Sequence, residues 1–235
     1  MAQKFEIPEA TRQRLMTRQG RLHAFEWLDP KRTALLVVDM QNYFMAEGYQ
    51  GYCPSGKSIV PNVNRLAEAV RATGGLVVWI LMEASEESKT GWANFHETYK
   101  PENREWRFKT LAAGTEGYKL WPELVVKPGD QTFVKRRYSA FVEAKGDLVQ
   151  VLRGQDIETA LICGVATNVC CESTGRNCMM SGFRTIMVSD GNATNSDEDH
   201  QHSLRGFMTF FGDVQSTDEV VALIAKGASG RAAAE

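Results

Sequence analysis

The sequence has no apolar run long enough to cross a membrane. Its first residues, Met1-Ala-Gln-Lys-Phe-Glu-Ile-Pro8, lack the basic-then-apolar layout of a signal peptide. Neither sign of charge dominates. Lys and Arg number 27 against 29 Asp and Glu, a formal charge of −2, which argues against a nucleic-acid partner. Cysteine is sparse: five residues, an odd number, with no CxxC pair and no framework spacing. That disfavours a disulfide scaffold and a structural zinc site, and it fits reduced thiols in a cytoplasm. No internal repeat is visible.

What is present suits one medium α/β domain. The chain has 235 residues, 43% hydrophobic and 24% charged, ordinary values for a globular protein with a sizeable core. Residues 1–30 are polar with scattered apolar positions (Leu15, Met16, Phe25, Trp27). They read as an extension packed on the domain or on a neighbouring subunit. Thr33-Ala-Leu-Leu-Val-Val-Asp39 is a continuous β-rich run ending in an acid, the pattern of a buried parallel strand. A helical face spans 61–73 and stops at Gly74-Gly75. Strands follow at 76–81 and 131–135, separated by a long aromatic stretch, 83–130, that reads as an irregular functional loop. A helix near 147–153 precedes a strand from Thr159, and a further strand covers 184–189. A helix at 198–211, a strand at 213–216 and a helix from Thr217 to Ala225 complete the core, with a frayed tail at 227–235. Alternation of this kind predicts a three-layer sandwich: a six-stranded, mainly parallel sheet with helices on both faces. Sites in such folds lie at the carboxyl ends of strands. Asp39, Lys135 and Cys170 each fall at or just after one.

The third of these sits in Thr159-Ala-Leu-Ile-Cys-Gly-Val-Ala-Thr-Asn-Val-Cys170, an apolar strand, a tight turn and the start of a helix. A cysteine in the first turn of a helix meets free N–H groups and the positive end of the helix dipole, which favour thiolate over thiol. The same groups can hold an oxyanion. The competing interpretation is a buried structural cysteine. Cys171 is a rival, but one helical step turns it about 100° away. Cys163 and Cys178 read as packing residues and Cys53 as a loop residue. Gly51-Tyr-Cys-Pro-Ser-Gly-Lys-Ser58 matches the P-loop pattern, with Asp190 as a conceivable magnesium ligand. A P-loop must leave a strand and open a helix directly. Here the nearest strand ends some twelve residues earlier, and Pro61 would fall inside the helix. Lys57 therefore reads as a solvated loop charge.

Four segments together resemble the isochorismatase-like cysteine hydrolases over about residues 31–225: Leu36-Val-Val-Asp-Met-Gln-Asn42, Val134-Lys-Arg-Arg-Tyr-Ser-Ala-Phe141, Gly164-Val-Ala-Thr-Asn-Val-Cys170 and Phe210-Phe-Gly-Asp-Val214. The resemblance implies a triad of Asp39, Lys135 and Cys170, a cis peptide between Val165 and Ala166, and an oxyanion hole from the N–H groups of Ala166 and Cys170. It also implies cleavage of an amide-type C–N bond, since relatives that cleave a vinyl ether lack the cysteine. The metal cluster of nicotinamidases has no counterpart after Leu81, where the chain reads Met82-Glu-Ala-Ser85. His200 and His202, two apart on a helix, read as surface residues. No catalytic metal and no cofactor are expected. Asn94-Phe-His96, Arg137-Tyr-Ser-Ala-Phe141 and Thr167-Asn-Val-Cys-Cys-Glu-Ser-Thr174 resemble ureidoacrylate amidohydrolases, which implies that Phe44, Asn94 and Tyr138 line the substrate pocket. Biuret and triuret hydrolases are sister activities. A catalytically inert member of the fold and a nucleotide-binding protein are the alternatives from other classes. The implied partners are a small ureido or amide substrate and further copies of the chain, with neither nucleic acid nor membrane.

Overall fold

A computed structural model describes residues 3–142 and 146–232. Six strands form one sheet: β1 (Thr33–Val38), β2 (Leu76–Met82), β3 (Gln131–Lys135), β4 (Thr159–Val165), β5 (Arg184–Ala193) and β6 (Asp213–Gln215). Their order is β3-β2-β1-β4-β5-β6, and all five pairings are parallel. Among the described residues ten α-helices surround it: α1 (Glu9–Gln19), α2 (Asn42–Met45), α3 (Val60–Ala72), α4 (Glu86–Gly91), α5 (Ala93–His96), α6 (Pro101–Thr110), α7 (Leu148–Gly154), α8 (Glu172–Met180), α9 (Asp197–Phe210) and α10 (Thr217–Ala232). No described helix is long and apolar enough to cross a membrane.

Side chains alternate across each strand, so one continuous apolar run feeds two cores. Leu35 and Val37 of β1 join Trp79 of β2 under α3 and α10, with Val63, Leu66, Val220 and Ile224. Ala34, Leu36 and Val38 face the opposite layer, where Leu15 of α1, Leu152 of α7, Cys178 of α8 and Phe207 of α9 close the core. This is the expected three-layer sandwich.

The N-terminal segment packs on its own domain. Leu15 is buried, His23 Nδ1 lies 3.0 Å from Asp213 Oδ1, and the Phe25 N–H donates to the same carboxylate at 3.0 Å. The stretch 83–130 is less irregular than its composition suggests, because it contains α4, α5 and α6. A capping box between Ser85 and Ser88 starts the first of these. The last helix also runs beyond Gly227 to Ala232 rather than fraying. Gly227 has a packing role: a Cβ there would lie 2.3 Å from the Leu28 carbonyl oxygen, so the helix can close on the segment entering β1. The remainder of the expected tail, residues 233–235, lies outside the described residues.

The strand order reverses between β1 and β4. Such a switch point opens a crevice at the carboxyl ends of the strands, because the connections leave in opposite directions. Gly164 makes the two central strands fit. It pairs with Val38, holds φ +122°, and a Cβ would sit 2.1 Å from the Val38 carbonyl oxygen.

The candidate active site

Asp39 leaves β1 in a left-handed conformation (φ 55°), its N–H donating to the Ile80 carbonyl at 2.9 Å. Gln41 then fastens this turn to the end of β2. Its Oε1 accepts from the Met82 N–H at 2.7 Å, and its Nε2 donates to the Met82 carbonyl at 3.0 Å and the Tyr118 carbonyl at 2.9 Å. Lys135, the last residue of β3, pairs in register with Met82. Its stem crosses beneath that strand end, and Nζ reaches Asp39 Oδ2 at 2.8 Å, the Arg137 carbonyl at 3.1 Å and Cys170 Sγ at 3.4 Å. Asp39 and Lys135 are fully buried and Cys170 is nearly so. Three segments far apart in sequence thus meet around one ammonium group.

Cys170 lies in a widened helical turn, Thr167–Cys171, that continues into α8. The peptide between Val165 and Ala166 is cis. Ala166 and Cys170 both line a cavity of about 270 Å³. Cys171 is fully buried and does not line the cavity, so only Cys170 of the pair addresses it. Cys163 and Cys178 are buried packing residues, and Cys53, also buried, lines the cavity wall.

The electrostatics correct one expectation. Position in the first turn of a helix argues for a lowered thiol pKa. Instead burial, then the Asp39 charge, raise Cys170 to about 12 against the opposing pull of Lys135. Burial also lifts Asp39 above the usual carboxylate range, with Lys135 opposing it. Burial works against the Lys135 charge, but Asp39 and Cys170 outweigh it and its pKa lies above the ordinary value. These surroundings favour the protonated thiol on Cys170 and the charged ammonium on Lys135, with the Asp39 carboxyl as their common neighbour.

Phe44 and Tyr138 line the cavity as expected. Asn94 does not. It is exposed, and its neighbour Phe95 takes the inward position. The phase of the short α5 decides this: Phe95 stacks on Trp92 at 4.0 Å and meets Tyr138 edge-on at 5.4 Å, which turns Asn94 outward. Tyr99, Arg107 and Asn195 also line the cavity, beside Gln50, Gly51 and Cys53 from the loop after α2. The aromatic density of 83–130 signals the first of these. Arg107 is one cation in a highly charged helix, and nothing local marks it.

His200 also departs from expectation. It is fully buried, and Nδ1 lies 2.9 Å from Thr167 Oγ1 behind the nucleophile turn. Ser203, one turn later, donates to Glu172 Oε2 at 2.7 Å. The outward His202 is exposed as foreseen. The P-loop look-alike is a loop whose Gly51 and Cys53 form part of the cavity wall. A Cβ at Gly51 would lie 2.5 Å from the Tyr43 ring, and the exposed Lys57 sits over Trp121 at 4.9 Å. Among the described residues no group of His, Cys, Asp and Glu gathers that could hold a metal ion.

A parallel sheet reversing at β1/β4, with a carboxylate, an ammonium and a thiol gathered at its carboxyl edge, defines an α/β cysteine hydrolase. The chain belongs to the isochorismatase family: the Isochorismatase domain matches residues 33–219. It is 30% identical over 200 residues to the isochorismatase family protein YwoC of Bacillus subtilis (strain 168), covering 82% of this chain and 94% of that one. The cysteine hydrolase from Pseudomonas syringae pv. phaseolicola 1448A superposes with a TM-score of 0.76 at 28% identity, over 88% of this chain and 98% of that one. N-carbamoylsarcosine amidase from Thermoplasma acidophilum shares the fold, with TM-score 0.64 and 24% identity over 80% of this chain and 97% of that one.

Proposed function

We propose that the protein is a cysteine amidohydrolase that cleaves a C–N bond of a small linear ureido or amide compound, ureidoacrylate-like, through a thioester on Cys170. The observation that carries this reading is the Lys135 ammonium bridging the Asp39 carboxylate and the Cys170 sulfur at 2.8 and 3.4 Å. A thiol held near pKa 12 is a poor nucleophile until its proton is removed. Asp39, raised by burial, is the base beside it. As sulfur attacks the carbonyl carbon, the proton passes to Asp39, and Lys135 compensates the charge on sulfur. The N–H groups of Ala166 and Cys170 receive the developing oxyanion. Asp39 returns the proton to the departing amine as the C–N bond breaks. The same carboxylate then takes a proton from water, which attacks the thioester and frees the thiol.

The cavity volume lies at the small end for ligand sites, in keeping with a short substrate. Phe44, Phe95 and Tyr138 offer flat apolar faces to a planar ureido group. Hydrolysis of ureidoacrylate, biuret and triuret, measured side by side with Cys170→Ser as the blank, tests the reading. Turnover of ureidoacrylate above the other two is expected. No turnover of any ureido compound would remove the substrate class, and a preference for triuret or biuret would move the substrate within it. The reading extends to a homo-oligomer in the cytoplasm; sedimentation as a monomer at micromolar concentration would refute the former.

A further inference from the structure

The cavity contains a charge that the triad does not use. Arg107 lies in the last turns of α6, is 6% exposed, and lines the same cavity as Cys170. A guanidinium keeps its proton throughout the range in which proteins fold. Buried charges are ordinarily matched by an opposite one, because an unmatched charge has lost its water without replacement. Other largely enclosed cations obey this. Lys135 has Asp39, Arg136 has Glu83 and Arg71 has Asp130. Arg107 is the exception. Among the described residues it forms no ion pair, its Nε has no partner, and its Nη1 reaches only the Tyr43 hydroxyl at 3.5 Å.

The Tyr43 and Phe95 rings lie 5.6 and 5.7 Å from the guanidinium carbon. Both are near the outer limit for a cation–π contact, and neither supplies a negative charge. Its positive charge is felt at the reaction centre, where it favours the ionised form of Asp39. A planar fork of donors, desolvated and lacking an acid, is a receptor for a planar anion.

We infer that Arg107 is a specificity-determining residue that pairs with a carboxylate on the substrate, at the end remote from the scissile carbonyl. The inference rests on the ureido reading for the reacting end of the substrate, and on Arg107 alone for the anionic end. It selects within the ureido class: ureidoacrylate carries a carboxylate, whereas biuret and triuret carry none.

Steady-state kinetics of the wild type, Arg107→Met and Arg107→Lys with ureidoacrylate and with its neutral primary amide provide the test. The wild type is expected to favour the acid. Arg107→Met is expected to lose about 100-fold in kcat/KM for the acid, mainly through KM, as two charge-assisted hydrogen bonds vanish. Its loss on the neutral amide is expected to stay under about tenfold, because that substrate never made those bonds. Arg107→Lys should recover part of the loss, since it keeps the charge without the fork. Equal losses on acid and amide, or no preference in the wild type, would overturn the inference. Thermal melting of Cys170→Ser with propionate, propionamide or inorganic phosphate is a second arm that requires no ureido chemistry. Protection by propionate alone, abolished by adding Arg107→Met, supports the carboxylate site even if no ureido compound is turned over. Equal or stronger protection by phosphate, or none by propionate, would overturn it.

Discussion

Replacing Asp39 by Asn should make Cys170 more reactive toward an alkylating agent while abolishing hydrolysis. The two contacts to Lys135 Nζ, 2.8 and 3.4 Å, hold Asp39 Oδ2 and Cys170 Sγ within about 6.2 Å of each other. At that outer limit and an effective dielectric of about 20, carboxylate–thiolate repulsion amounts to at least roughly 2.7 kcal/mol, or about 100-fold or more in thiolate population. In the wild type the thiol stands near pKa 12, so at pH 7.5 only about one sulfur in 10⁴–10⁵ is ionised. Asp39→Asn removes the repulsion and leaves the Lys135 attraction in place. A thiolate of lower pKa is also a weaker nucleophile, which cancels about half of the gain on a logarithmic scale. The net expectation is alkylation by iodoacetamide about tenfold faster than wild type. The assay is intact-protein mass against time, with Cys170→Ser to show which sulfur reacts. Hydrolysis should fall by about 10²–10⁴, the usual contribution of a positioned base. Labelling of Asp39→Asn that is equal to or slower than wild type would refute the argument, because it would place the resting proton on the carboxylate rather than on sulfur.

Further outcomes follow from particular contacts. His200 has a folded pKa near 4, lowered chiefly by burial, against about 6.5 when unfolded. The unfolded chain therefore binds more protons between these values. This contribution to stability, up to about 3 kcal/mol, is complete above pH 6.5 and is lost as pH falls toward 4. Urea denaturation of wild type and His200→Gln at pH 7 and pH 5 should show the smaller pH dependence in the variant; equal slopes would contradict it. Gly164→Ala should cost at least about 3 kcal/mol or prevent folding, through the clash with the Val38 carbonyl, as read by thermal melting. Leu15→Ala should cost about 2–4 kcal/mol, as expected of a buried leucine and not of a mobile arm, and an unchanged denaturation midpoint would contradict that packing.

The meeting of Asp39, Lys135 and Cys170 was legible because each lies at the end of a strand or in the turn that follows it. In a parallel sheet, those ends share one edge. The β-rich runs at 33–38, 76–82 and 159–165 leave little ambiguity, and the order of helices and strands follows from them. What failed depends on contacts that local pattern does not carry. Asn94 and Phe95 are adjacent, and only the packing of Trp92 and Tyr138 fixes which faces inward. The lowered thiol pKa follows from an isolated helix end, but the enclosing core raises it instead. His200 was within reach. It lies on one helical face with Ser203, Leu204 and Phe207, all buried, at the spacing of an inward stripe. Arg107 gives no signal until its surroundings are seen.

Lys135 belongs to β3, an outermost strand that pairs only with β2, whereas Asp39 and Cys170 follow the two central strands. Sheet edges open more readily than sheet centres. Mild denaturant should accordingly switch the enzyme off while its circular dichroism is still native, by lifting one border strand and withdrawing the cation. Amide hydrogen exchange should be fastest, among the strands that present the triad, along Gln131–Lys135.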